Sequence, residues 1–137
     1  MSRRLALMTL LLPMWATLGL AEGSDDERGT DAVGVTRAPS TAASRSNPFA
    51  GDPSAIRAGH KLYLRHCAEC HGDDARGRGK APPLLSRRVQ GAPPGDLYWF
   101  LTNGDLGAGM PSWSRLPDAR RWQLVTFLKT LSTPSGP

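Results

Sequence analysis

Cys67-Ala68-Glu69-Cys70-His71 is the run in this chain whose residue types and spacing point most directly to chemistry. Two thiols three residues apart, followed at once by an imidazole, admit several uses. A thioredoxin-like redox pair sits at a strand-to-helix junction in a βαβ pattern, and no strand-like alternation precedes Cys67. Zinc needs four ligands, and a second ligand pair at suitable spacing is missing from the sequence. The C-x-x-C-H pattern is also the attachment signature of a c-type haem. Two Cys on one helical turn can reach the two vinyl groups of a porphyrin and form thioethers. The next residue, His71, then lies under the iron and gives it an axial nitrogen. The expectation is one covalent haem c per chain.

Haem iron in electron carriers takes His plus Met or His plus His. Met1, Met8 and Met14 fall in the first 21 residues, which leaves Met110 for the rest of the chain. It stands in Gly107-Ala108-Gly109-Met110-Pro111, where glycines let backbone approach a flat ligand and Pro111 stiffens the far side of the loop. His66 abuts Cys67, and His60 lies one to two turns upstream on the same helix. Neither can wrap to the opposite face of the ring. The iron ligands are therefore expected to be His71 and Met110.

Helices must position these groups. Asp52-Pro53 reads as an N-cap followed by proline at the first helical position. Ile56, Gly59, Tyr63 and Cys67 then follow on one face, with Arg57, Lys61 and Arg65 opposite. Asp96 is expected to start a second helix, with Leu97, Phe100 and Leu101 inward and Asn103-Gly104 as its stop. Asp118 is expected to cap a last helix with the apolar stripe Leu124, Phe127, Leu128 and Leu131. Lys80 to Pro94 holds four prolines and reads as an extended loop.

The chain has 137 residues, 39% of them apolar, and two cysteines. That excludes large barrels and multi-disulfide scaffolds, and a small domain of this composition needs a staple. Residues 1–21 read as a signal peptide: Arg3 and Arg4, an uncharged run from Leu5 to Ala21, then small residues at the cleavage spacing. An uncleaved anchor is the alternative. Residues 22–46, with almost no large apolar side chain, read as a disordered linker. Residues 47–137 read as the folded domain, with twelve basic and seven acidic side chains.

The arrangement resembles class I cytochrome c, over essentially all of residues 52–131. The resemblance implies an all-α fold of three main helices and loops wrapped around one haem. It implies that the first and last helices cross at Gly59 and Tyr63, against Leu124 and Phe127. It implies that a proline carbonyl, of Pro82 or Pro83, accepts the second imidazole N–H of His71, and that Leu84 then touches the haem. Such a bond fixes the ring and tunes its basicity. Asp96-Leu97-Tyr98-Trp99-Phe100 and Gly109-Met110-Pro111-Ser112-Trp113 are similar to segments of bacterial periplasmic cytochromes that accept electrons from quinoprotein dehydrogenases. Trp113 is expected beside the Met110 loop, and Trp99 near a haem propionate.

The function implied is single-haem electron transfer in the periplasm, between a dehydrogenase and the respiratory chain, with no catalysis by the chain itself. No paired carboxylates or Ser/His/Asp set stand out. The alternative is a haem subunit fixed in a dehydrogenase or oxidase complex, membrane-anchored and facing the periplasm if residues 1–21 stay uncleaved. Sensing or catalysis at an open iron ranks last, because no distal His is placed to assist. Partners are expected to be redox proteins (a dehydrogenase, a terminal oxidase or another cytochrome) and not nucleic acid, with the chain a monomer. Arg76, Arg78, Lys80, Arg87 and Arg88 could steer an acidic partner.

Overall fold

A computed structural model of the chain describes residues 37–131. The elements are α1 (Ser40–Ala43), α2 (Pro53–His66), α3 (Ala68–His71), α4 (Arg87–Gly91), α5 (Pro94–Asn103), a 3-10 turn (Leu106–Ala108) and α6 (Asp118–Leu128). Among the described residues no strand forms, and one isolated antiparallel bridge joins Asp105 to Met110. The fold is all-α. The expected signal peptide, residues 1–21, lies outside the described residues.

Helix α2 begins as its sequence requires. The Asp52 carboxylate accepts the backbone N–H of Ser54 at 2.7 Å and of Ala55 at 3.4 Å, and Pro53 fills the first helical position. Ala55, Gly59, Leu62 and Tyr63 form the buried face, and Arg57, Lys61 and Arg65 are exposed to varying degrees on the other sides. Gly59 is where α6 crosses. A Cβ built there would lie 2.0 Å from the Gln123 carbonyl oxygen and 2.8 Å from Phe127 Cβ. The rings of Tyr63 and His60 pack on Phe127, with centroids 5.3 and 4.9 Å away. Gly59 thus meets the backbone of Gln123 and the side chain of Phe127, while Leu124 is buried in the core between the helices.

Helix α5 completes the core. Tyr98 stacks on Trp122 of α6 with centroids 4.2 Å apart. It starts at Pro94 rather than at Asp96, because proline presets the φ of the first helical residue and Pro93 supplies the preceding extended one. Gly104, at φ +70°, ends it. In α6, Pro117 holds the N-cap position and Asp118 is the first helical residue, not the cap. Its carboxylate pairs with Arg121 one turn on.

Two segments differ from the sequence expectation. The loop from Lys80 to Pro94 contains α4, begun by Ser86, whose hydroxyl accepts Val89 N–H at 3.5 Å. Val89 is buried, and Gln90 Nε2 donates to Leu84 O at 2.6 Å and to Leu128 O at 3.2 Å. The second is the expected linker, whose residues 37–46 pack on the domain. Ala42 is buried, and its carbonyl lies where a Cβ at Gly95 would stand, 1.9 Å away. Arg45 lies over the Tyr98 ring at 4.3 Å and the Trp122 ring at 5.6 Å. The arm has almost no large apolar side chain to bury. The arm docks instead through small-residue contact and cation–π stacking. Residues 22–36 lie outside the described residues.

The crossing sets a clear expectation. Gly59→Ala should destabilise the haem-loaded protein by about 3 kcal/mol, the upper end of the usual overpacking cost, because the obstacle is backbone. Gly91→Ala, with nothing within 4 Å of the new Cβ, should change stability by less than about 1 kcal/mol, on the stabilising side. Guanidinium unfolding of both variants checks this, and equal midpoints would contradict it.

Candidate haem-binding site

The end of α2 delivers the Cys67–His71 turn. At Cys67 the backbone departs from helix (φ −120°, ψ −36°), while its N–H still bonds Tyr63 O at 2.8 Å. One further turn, α3, comes next, closed by His71 N–H to Cys67 O at 2.9 Å and Gly72 N–H to Ala68 O at 2.9 Å. Gly72 then adopts φ +78°, a conformation in which a side chain is strained. The buried Tyr63 hydroxyl donates to Gly72 O at 2.5 Å and pins the chain immediately after His71. Helix α2 therefore fixes the turn at both ends.

The loop after this turn folds back on it. Gly77 N–H bonds His71 O at 2.8 Å, and Leu84 N–H bonds Ala75 O at 2.9 Å. Gly77, at φ +82°, lies so close to the returning stretch of loop that a Cβ would sit 2.3 Å from Ala81 O. That return carries the Pro82 carbonyl to 3.0 Å from His71 Nδ1. Pro83 is exposed, and its carbonyl accepts Ser86 N–H at 3.4 Å instead. Of the two prolines it is Pro82 whose oxygen meets the imidazole. With Nδ1–H donating there, Nε2 keeps the lone pair a metal needs.

Met110 sits on a separate loop. Gly104 and Gly109, at φ +70° and +87°, let residues 104–111 turn tightly. Asp105 and Met110 bond backbone to backbone in both directions, at 2.8 and 2.9 Å. Met110 and Trp113 are half-buried and pack on the core, as does Leu84. Trp113 N–H bonds Leu101 O at 2.9 Å, and its ring lies 5.1 Å from that of His66, next to Cys67. This contact brings the Met110 loop to the Cys67 end of α2. Trp99 is half-buried on α5, and its carbonyl accepts from Asn103 Nδ2 at 2.8 Å. His60 is accounted for by its stacking on Phe127 at the helix crossing.

The thiols fit thioether formation. Cys67 is half-buried, Cys70 is exposed, and no disulfide joins them. Burial, and next the neighbouring Cys70, push the Cys67 thiol up to about 12. Burial of this kind keeps the free thiol protonated, unlike the low-pKa thiolate of a redox nucleophile. A thioether is neutral and suits an apolar wall. Two thiols on one turn for attachment, a carbonyl-bound imidazole at His71 and a thioether at Met110 are a residue set suited to haem c.

Asp105, Arg37 and the Tyr63 hydroxyl belong to the frame of this site and were not singled out from sequence. Asp105 before Leu-Gly-Ala-Gly carried a usable signal. Its carboxylate accepts Ala108 N–H at 3.3 Å, the habit of Asp at the start of a tight turn.

Comparison with known proteins places residues 54–128 in the family of cytochrome c oxidase, cbb3-type, subunit III. The chain is 34% identical over 93 residues to the cbb3-type cytochrome c oxidase subunit CcoP of Azospirillum brasilense, covering 62% of this chain and 31% of that protein. It is 35% identical over 94 residues to CcoP of Azospirillum sp. (strain B510), with the same coverage. It is 30% identical over 93 residues to subunit FixPc of Rhizobium leguminosarum bv. viciae, covering 58% and 29%. The chain thus spans about a third of the length of these relatives.

The Tyr63 bond should be visible in alkaline unfolding. Burial first, then negative charge at Cys67, Asp74 and Asp73, push the Tyr63 hydroxyl from 10.0 up to about 12. With haem attached, Cys67 carries no charge and burial remains the leading cause. The folded chain keeps a proton that the unfolded chain gives up above about pH 10. This contribution is complete below that pH and is lost as pH rises through about 12. Tyr63→Phe should therefore lose stability less steeply than wild type across this window. Equal slopes in denaturant midpoint against pH would contradict the role.

Proposed function

Because the chain belongs to the family of cbb3-type cytochrome c oxidase subunit III, a family of c-type cytochromes, we propose that it is the electron-transfer haem subunit of a respiratory oxidase complex. The observation that carries this reading is the family match, which runs from Ser54 to Leu128 and contains every proposed haem-binding residue. It favours the fixed subunit over the free periplasmic carrier that the sequence put first.

Haem c, once attached, supplies a one-electron iron couple whose potential its ligands and surroundings set. Cys67 and Cys70 would hold it through thioethers, and His71 and Met110 would supply nitrogen and sulfur to its iron. Pro82 O orients the His71 ring. Tyr63 and Gly72 fix the backbone behind it. Leu84 and Trp113 would supply apolar wall beside it, which would exclude water and disfavour the more charged ferric form. Helices α2, α5 and α6 would frame the haem site. None of these residues need act as acid, base or nucleophile, since electron transfer makes and breaks no protein bond. We read the chain as a carrier of electrons and not a catalyst in its own right.

Arg78, Lys80, Arg87 and Arg88 lie on the segment after the haem motif with their side chains at least partly open to solvent, and Arg76 pairs with Asp74 at 3.5 Å. Basic charge on this segment suits an acidic redox partner. No helix among the described residues is long and apolar enough to cross a membrane. In the subunit reading, residues 1–21 serve as an export signal that stays as an anchor, and the domain faces the periplasm. A free carrier serving a dehydrogenase is the second reading, favoured by the segments Asp96–Phe100 and Gly109–Trp113.

Two measurements test this. The oxidised protein should show the near-infrared charge-transfer band of methionine bound to iron, and Met110→Ala should abolish it; a band that survives the substitution removes Met110 as ligand. Membranes solubilised in mild detergent and separated by size should carry the haem-stained chain in one species with oxidase activity. Recovery of all the chain as a small soluble protein would favour the free carrier instead.

A further inference from the structure

The arm that precedes α2 reaches the Met110 loop. Arg37 Nη1 lies 3.2 Å from Asp105 Oδ1, with the Arg37 side chain 58% exposed and that of Asp105 only 6%. A carboxylate so buried is costly unless it is paired and hydrogen-bonded. Its Oδ1 also accepts Ala108 N–H at 3.3 Å inside the turn. The same residue holds Met110 by backbone bonds in both directions, at 2.8 and 2.9 Å. Asp105 therefore closes the loop through its backbone, braces the turn through its carboxylate, and meets the arm through Arg37.

The arm is itself anchored on the helices that frame the site. Ala42 lies on Gly95 of α5 and Arg45 over Tyr98 and Trp122. Just beyond it, Asn47 Nδ2 donates to Thr126 Oγ1 of α6 at 2.9 Å. A segment fixed at these points holds Arg37 in place at little further entropic cost.

We infer that Asp105 is a positioning residue for Met110, and that residues 37–45 form a strap holding the Met110 loop closed through Arg37. The inference rests on Met110 being an iron ligand. Opening of the loop frees the sixth position. An external ligand then binds with an apparent affinity scaled by the fraction of open protein. Weakening the strap raises that fraction without altering any residue that touches the haem.

The test uses the haem-loaded full chain and imidazole as the external ligand, with loss of the near-infrared methionine band as readout. Arg37→Gln should lower the imidazole concentration for half-displacement by about two- to fivefold, the scale of a partly exposed ion pair. Arg37→Lys should restore most of the wild-type value. Asp105→Asn should shift it in the same direction, and the double variant should shift it no further than the larger single effect. Arg37 is largely exposed, so its substitution leaves a folded protein even if Asp105→Asn does not. An Arg37→Gln titration that overlays the wild type, or additive shifts in the double variant, would overturn the strap while leaving Met110 a ligand. A wild-type protein with no methionine band would remove the ligand reading and the strap with it.

Discussion

Helix α2 can lie against α6 as closely as it does only because position 59 has no side chain. The Gln123 carbonyl occupies the place a Cβ would take. That approach seats Tyr63 against Phe127 and leaves its hydroxyl within reach of Gly72 O. Tyr63 then holds the turn that ends in His71. The crossing is a packing contact some distance along the chain from the chemistry, and the direction of the imidazole is one of its consequences.

A second constraint comes from the loop after His71. A histidine free to rotate makes a poor axial ligand, because its orientation must be fixed at an entropic cost on binding. Here the cost is met in folding. Gly77 lets residues 77–82 turn back tightly, Leu84 is tied to Ala75, and Gln90 links Leu84 O to Leu128 O of α6. The Pro82 carbonyl arrives at His71 Nδ1 as the outcome of that path. The Met110 loop, in turn, is closed by Asp105 and joined to α2 through the Trp113–His66 contact. Both proposed ligands are thus held by backbone geometry and not by their own side-chain packing alone.

Much of this was legible in the sequence, and for identifiable reasons. The C-x-x-C-H run, the Asp52-Pro53 start and the Asn103-Gly104 stop are local signals, each with its physical cause inside a few residues. Gly59 and Tyr63 were placed at the helix crossing by family resemblance, and the structure finds them there. Tertiary contacts were harder to see. The docking of residues 37–46 depends on Gly95, Tyr98 and Trp122, more than fifty residues away in the chain, and composition alone made that arm look unable to fold. Helix α4 was hidden by the prolines around it, although Ser86 and Val89 have the spacing of a cap and its recipient. The choice between Pro82 and Pro83 turned on loop register, which Gly77 sets through a close approach that no local pattern reveals.

Whether Cys67 and Cys70 carry one covalent haem c is settled most directly by the intact mass of the purified, fully unfolded chain. The wild-type mass should exceed the polypeptide by one haem, and a variant with Cys67→Ala and Cys70→Ala should have the bare polypeptide mass. A wild-type chain that unfolds to the polypeptide mass alone, with its haem released or absent, would rule out covalent attachment at Cys67 and Cys70.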